Sequence, residues 1–334
     1  MIFKRHGKKP ILTRNDIPAM KPEIIDPSSV FNPGAIRVDK NTFLLLRVQT
    51  RGRRTFLVPA RGDGAKFKVA ARPTVLVGLT EFLEEAPGDT LEVYHVYDPR
   101  LSRVDDELLV VTAVDTDQGG RLAIWRACGD PDAGFAGLDK LELAGLTGSE
   151  DTRNGVLFPA RIGGSYAMLE RPNDRRLSSG PATGRGIILT TSEDLITWRK
   201  QGSVLAGRPH FWDELIGSGP PPVRIADGWL HLYHGVATHF GSANIYQAGA
   251  VLLNADDPTL VAGRTADNLL EPRETWEVAG QVPNVVFPSG MVVTGLDEQG
   301  IAGPDSEIRL YYGAADTCIG LATTTVGQIT GQLT

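Results

Sequence analysis

Short apolar runs rich in β-branched and aromatic residues alternate with compact polar turns along this chain, and no stretch sustains a helical period. One unit recurs: a proline-containing corner, four or five residues, a Gly/Asp/Asn turn, then a β-rich run. Its first copy reads Asn32-Pro33-Gly34, AIRV, Asp39-Lys40-Asn41, TFLLLRV. The second is VYDPRLSRVDDELLVVTAV at 96–114, where Pro99 fixes φ and keeps the corner from joining an interior ladder. The third runs from Phe158-Pro159 through Gly163-Gly164 to SYAMLERP. The fourth runs from Gly219 through Pro220, Pro221 and Pro222 to Ala226-Asp227-Gly228 and WLHLYHGV. The fifth runs from Phe287-Pro288-Ser289-Gly290 through Gly303–Asp305 to EIRLYYGAAD.

Copies spaced by roughly 60 to 70 residues mark an internal repeat, and most are followed by a further strand-like piece such as RLAIWRAC or GIILTTSEDLITW. Radial repetition protects sheet edges, so the pattern predicts an all-β fold, a five-bladed β-propeller. The competing reading is an irregular β-sandwich whose turns resemble one another by composition. A helical fold conflicts with 38 glycines and 22 prolines. Residues 1–30, with Pro10, Pro18, Pro22 and Pro27, read as an extended lead-in, and 31–334 as one propeller domain. Segment 73–85 fits one short helix or strand inserted between the first two units.

Composition adds exclusions. A formal net charge of −6 argues against a general nucleic-acid binder. The two cysteines, Cys128 and Cys318, rule out a disulfide framework or a thiolate metal cluster, though not a single bridge. No apolar run approaches a membrane span, and the basic N-terminus lacks the apolar core of a signal peptide, so the expected location is cytoplasmic. His231 and His234, three apart on one strand, face opposite sides and do not share a metal, and nothing suggests a metal or nucleotide cofactor. RGDGAK at 61–66 lacks the flanks of a phosphate-binding loop and reads as a hairpin turn. An acid at a strand entrance followed by an arginine, as in Asp98-Pro99-Arg100, is where a propeller would aim chemistry into its channel. Asp98 could equally accept backbone hydrogen bonds at a turn.

The ordered segments FNPGAIRV…FLLLRV, YDPRLSRVDDELLV, NGVLFPARIGGSYAMLERP, GSGPPPVRIADGWLHLYHGV, NVVFPSGMVV and YYGAADT resemble glycoside hydrolase family 130 from Phe31 to Thr324. The resemblance implies a five-bladed propeller acting on β-mannosides. Most members similar to this pattern are inverting phosphorylases that cleave with inorganic phosphate and release α-mannose 1-phosphate; others are β-1,2-mannosidases that use water. Inversion needs a proton for the leaving oxygen and a nucleophile on the opposite ring face. A hydrolase adds a carboxylate base, whereas a phosphorylase needs a cationic cradle for a nucleophile that is already an anion.

Asp98 matches the family's proton donor, which the resemblance implies acts through the 3-hydroxyl of the bound mannose. Arg47, Arg153 and Arg171 fall at its anion-site positions, where planar, always-charged guanidinium groups suit phosphate. His234 and Tyr246 match further contacts around phosphate and mannose. Asn32 and Asp316 resemble contacts to the mannose being cleaved. Trp229, Tyr311 and Tyr312 read as core aromatics that could alternatively stack on sugar. The implied partners are a small β-mannoside and inorganic phosphate as co-substrate, with no cofactor. A homo-oligomer is compatible, since the lead-in is long enough to reach a neighbouring subunit.

One position departs from the pattern. Phosphorylases similar to this chain carry a lysine or arginine where Leu215 stands in ELIGSGPPPVR, and Arg224 matches a basic position the family already has. The mannosidase relatives carry a glutamate near Gly217 and lose the arginines kept here. Phosphorolysis is the expected activity and an inverting β-mannosidase the alternative, with Glu214, Glu274 and Glu277 as candidate bases. Linkage and acceptor are expected to depend on loops 60–95, 172–185 and 237–245.

Overall fold

The computed structural model describes residues 2–85, 91–147, 151–176, 182–239 and 243–334, so parts of all three specificity loops lie outside the described residues. Strand is the dominant element of the described residues, and α-helix is confined among them to Leu79–Glu85, Thr275–Val278 and Val326–Thr330. Pro27–Val38, Asn41–Thr50, Thr55–Gly62 and Phe67–Val69 form an antiparallel meander. Val93–Val104, Glu107–Thr116, Gly119–Ala127 and Lys140–Leu146 form the next, extended at its edge by Val75–Val77 in parallel. Segment 73–85 thus holds both a strand and a helix. Thr152–Leu157, Tyr166–Pro172, Gly186–Ser192 and Arg199–Ala206 make the third meander.

The largest sheet combines two more meanders. In one, Leu215–Ser218 and Val223–Ile225 both pair with Gly228–Ala237, followed by Ile245–Leu253 and Val261–Arg264. In the other, Val286–Leu296, Ala302–Ala314 and Cys318–Thr325 are followed by Lys4–Arg5 from the opposite end of the chain. Two parallel bridges, Ile225 to Ala302 and Tyr246 to Val285, join the two.

Packing explains why the strands read as continuous apolar runs. Successive side chains of a strand point to opposite faces, and here both faces are covered. Phe43 and Leu45 pack with Leu101, Val110 and Trp125 of the second sheet, while Leu44 and Leu46 pack with Val292, Tyr311 and Ile319 of the last. Leu109 and Val111 meet Leu157 and Met168; Leu169 and Leu189 meet Ile216 and Tyr233; Leu230 and Leu232 meet Leu310 and Tyr312. Each sheet is sandwiched between its predecessor and its successor, and the last returns to the first.

Only the fourth proline corner, residues 219–222, leads into a strand, Val223–Ile225; the first, second and fifth are bulges. Ladder register shifts within continuous strands between Phe31 and Gly34, Tyr97 and Arg100, Arg153 and Val156, and Pro288 and Gly290. Proline removes a ladder donor, and a β-bulge is where an interior strand tolerates that. At 158–159 the expected third corner lies just past the end of its strand, and the equivalent bulge falls earlier, at Asn154-Gly155. Asp63 caps the RGDGAK hairpin, its Oδ1 accepting the Ala65 and Lys66 amides. Cys128 is exposed and Cys318 buried, and both are free thiols.

Candidate active site

Three of the bulges release Asn32, Asp98 and Asn154 from the ladders. Asp98 and Asn154 adopt left-handed φ angles of 54° and 55°, a conformation open to short polar side chains and one that re-aims them out of the pleat. Glycines let the first of them pack closely. A Cβ on Gly313 would meet Asn32 at 2.9 Å, and one on Gly34 would stand 2.8 Å from the Pro99 carbonyl.

Asp98 receives Arg47 Nη1 at 2.7 Å and Asn32 Nδ2 at 3.1 Å, both on Oδ1, so neither engages its second oxygen. Burial pushes this carboxyl up, but the charges of Arg47 and Arg100 and the hydrogen bonds from Arg47 and Asn32 outweigh it, holding it below the ordinary range. Arg47 is clasped between aromatic faces, its Cζ 4.3 Å from the Phe31 ring centre and 4.4 Å from that of Tyr97.

Arg153 Nη2 donates to Asp115 Oδ1 at 2.8 Å. Arg171 Nη2 donates to Asn173 Oδ1 at 2.7 Å, and Asn173 Nδ2 donates in turn to Asp151. Burial pushes Arg171 down to about 10, helped by the neighbouring charge of Arg153, so it stays cationic at neutral pH. Among the described residues, the buried Nε atoms of Arg47, Arg153 and Arg171 have no hydrogen-bond partner. Buried donors seldom go unmatched, and guanidinium edges left open this way suit an anion.

His234 stacks on Tyr246, ring centres 6.0 Å apart, and tilts against Phe287 at 4.5 Å. Burial and the charges of Arg171 and Arg100 hold its imidazole well below the usual value, hence neutral. Tyr246 is pushed up by burial, with Arg171 opposing and Asp316 reinforcing. Asp316 sits at the left-handed turn between Ala302–Ala314 and Cys318–Thr325, at φ 49°. Burial pushes it up to about 6; Arg47 pulls down and Asp98 adds to the rise. Asn32, Arg47, Asp98, Arg153, Arg171, His234, Tyr246 and Asp316 are thus brought into one cluster, linked by hydrogen bonds, ring contacts and charge.

Several members were given no role of their own by the sequence. Arg100 is 1% exposed and braces the site, with Nε on the Gly219 carbonyl at 2.8 Å and Nη1 on that of Asp98 at 3.1 Å. Its place directly after Asp98-Pro99 was the available signal. Asn154 lies beside His234, because a Cβ on Gly217 would run into both. Tyr97 and Asp115 gave no signal, since their pairing joins neighbouring strands. Leu215 is buried, and Arg224 lies over the Trp229 ring, with Cζ 5.5 Å from its centre. The core aromatics are engaged in the framework: Trp229 with the Ala255 carbonyl, Tyr311 with that of Gly64, and Tyr312 with Glu277.

Of the candidate bases, Glu277 is fully buried and receives Arg5, Tyr312 and two backbone amides. Glu274 caps helix Thr275–Val278, and Glu214 accepts the Thr238 hydroxyl at 2.6 Å. No group of three or more His, Cys, Asp or Glu residues with metal-binding geometry occurs among the described residues, nor any helix long and apolar enough to cross a membrane.

The chain is 36% identical over 177 residues to a β-1,4-mannooligosaccharide phosphorylase of Ruminococcus albus, covering 53% of this chain and 49% of the relative. It is 35% identical over 182 residues to a 1,2-β-oligomannan phosphorylase of a Thermoanaerobacter species, covering 54% and 53%. The matches thus span about half the length of each relative. The fold superposes on a β-1,2-mannobiose phosphorylase of Listeria innocua, solved with β-1,2-mannobiose, with a TM-score of 0.79 at 23% identity, covering 100% of this chain and 99% of the other. A family model described as β-1,4-mannooligosaccharide phosphorylase matches residues 3–333, nearly the whole chain, and the chain therefore belongs to glycoside hydrolase family 130.

Proposed function

We propose that this protein is a five-bladed β-propeller that cleaves a β-mannoside by inverting phosphorolysis, releasing α-mannose 1-phosphate and the shortened sugar. Mannobiose, mannosyl-glucose or a short mannooligosaccharide is the substrate. The observation that carries the reading is the convergence of one carboxylate with three arginines whose buried Nε donors have no partner. The names of the relatives point the same way.

In this reading Asp98 protonates the leaving oxygen through the mannose 3-hydroxyl. The group must first hold a proton, although Arg47 and Arg100 favour its charged form. A phosphate dianion bound against the arginines would draw on the same positive charge and raise the proton affinity of Asp98. Arg153 and Arg171 orient phosphate below the anomeric carbon, with neutral His234 and Tyr246 as further contacts. Asn32 and Asp316 hold the mannose hydroxyls. Phosphate attacks as the C–O bond breaks, so no second carboxylate is required. Residues 31–334 form the ring, and Lys4–Arg5 of the lead-in complete its last sheet.

One observation favours a second reading, an inverting β-mannosidase: the expected cation before the Gly-Ser-Gly-Pro segment is a buried leucine, Leu215. Glu214 would then be the candidate base, because Glu277 is committed to Arg5 and Tyr312. Incubation with β-1,4- and β-1,2-mannobiose and mannosyl-glucose, with and without phosphate, decides between them. Mannose 1-phosphate formed only with phosphate supports phosphorolysis. Free mannose at equal rates in both conditions overturns it.

A further inference from the structure

The oxygen that holds Arg153 also holds a second group. Asp115 Oδ1 accepts Arg153 Nη2 and the Tyr97 hydroxyl, each at 2.8 Å. The Tyr97 ring lies between two arginines, its centre 4.4 Å from Arg47 Cζ and 5.9 Å from Arg153 Cζ. Burial first, then the Asp115 charge and hydrogen bond, raise the Tyr97 phenol despite Arg153, so it remains a neutral donor. Arg47 donates in turn to Asp98. A single carboxylate oxygen near the end of strand Glu107–Thr116 therefore ties the anion side of the site to the acid side.

We propose that Asp115 is a positioning residue that aims Arg153 at phosphate and, through the Tyr97 hydroxyl, fixes the ring against which Arg47 packs. The assignment rests on the phosphorylase reading. Two physical effects of this carboxylate have opposite signs, which makes the role decidable. As a charge, Asp115 weakens the positive field that phosphate meets, so its removal would tighten phosphate binding. As a hydrogen-bond partner it holds a long guanidinium in one orientation. Directional two-point recognition of phosphate depends on that orientation, and release would cost ordering entropy on binding.

The test compares Asp115→Ala and Asp115→Asn in the full chain. Its readouts are the KM values for phosphate and mannoside, kcat, and calorimetric binding of inorganic phosphate alone. Asp115→Ala is expected to raise the phosphate KM and Kd about tenfold or more, the loss typical of a hydrogen bond to a charged group. Mannoside KM should stay within about twofold, because that interaction lies elsewhere in the site. Asp115→Asn, whose amide oxygen still accepts both bonds, should recover most of the phosphate affinity. Alanine that binds phosphate as well as or better than wild type overturns the assignment, as does asparagine no better than alanine. A wild-type protein that neither requires nor binds phosphate overturns this role and the phosphorylase reading together. Wild type that binds phosphate, with alanine matching it, removes the Asp115 role alone. Asparagine preserves the side-chain shape, and unfolding midpoints confirm that the compared variants are folded.

Discussion

Glu277 separates a catalytic from an architectural reading of a buried carboxylate. It is 0% exposed and accepts Arg5 Nε and Nη2 at 2.7 Å each, the Tyr312 hydroxyl at 2.7 Å, and the amides of Arg273 and Glu274 at 2.8 and 2.9 Å. Burial pushes its carboxyl up, yet the hydrogen bonds from Arg5, the two amides and Tyr312 outweigh this and the net shift is downward. Glu277→Gln removes the charge while keeping the volume, taking from the Arg5 guanidinium, 9% exposed, the carboxylate it pairs with. Breaking one side of a buried pair costs about 3–5 kcal/mol. That is a large share of the roughly 5–15 kcal/mol by which native domains are stable.

Urea unfolding at neutral pH should show this loss, with kcat of the folded fraction unchanged. The pH dependence follows from the depressed folded value. The contribution is present above the unfolded value near 4.5 and disappears as pH falls through the folded one. The difference between wild type and variant should therefore shrink on acidification. A variant within about 1 kcal/mol of wild type, or one that keeps its stability and loses kcat, would refute the architectural reading.

Asp98→Asn should lower kcat by about 10²–10⁴-fold, the range for a lost general acid, while circular dichroism stays unchanged. Gly217→Ala would place a methyl group against Asn154 Nδ2 and the His234 ring. It should raise the phosphate KM more than the mannoside KM in steady-state kinetics. Asp316 is raised in the fold from 3.8 to about 6, so the folded protein holds its proton more tightly and loses stability as pH rises across that window. Unfolding measured between pH 4 and 7 should show Asp316→Asn gaining on wild type as pH rises, a trend absent if Asp316 is already ionised at the lower end.

The legible part of this chain was its periodicity. Runs such as Thr42–Val48 and Leu108–Val114 are apolar on both faces because each sheet lies between two others, and that doubled burial is written directly into the residues. Asp98, Arg47, Arg153 and Arg171 were singled out through their motifs, and the structure brings them together. The corners at Asn32, Asp98 and Pro288 were misplaced because a bulge and a strand entrance share the same proline and short polar residues; only the ladder on the neighbouring strand tells them apart. At Asn154 the bulge carries no proline at all. Tyr97, Asp115 and Arg153 were unreadable as a unit because contact between them depends on register across separate strands. Leu215 was noticed in the sequence, but its burial in the core emerged only from the packing.

The pairing of Lys4–Arg5 with Cys318–Thr325 joins segments about three hundred residues apart in sequence. During synthesis the N-terminal segment must wait, without its partner, until about three hundred residues have been made. Arg5 waits with it, since Glu277 and Tyr312 are themselves late arrivals. Earlier meanders can assemble in order, each on the last, but the seam closes only after Cys318–Thr325 has been made. Residues 4–5 are therefore not neutral ground for fusion or trimming. A bulky tag abutting residue 2, or removal of the first six residues, would act at the C-terminal sheet more than three hundred positions away, and would be felt as slower ring closure and aggregation of the open form rather than as a local defect.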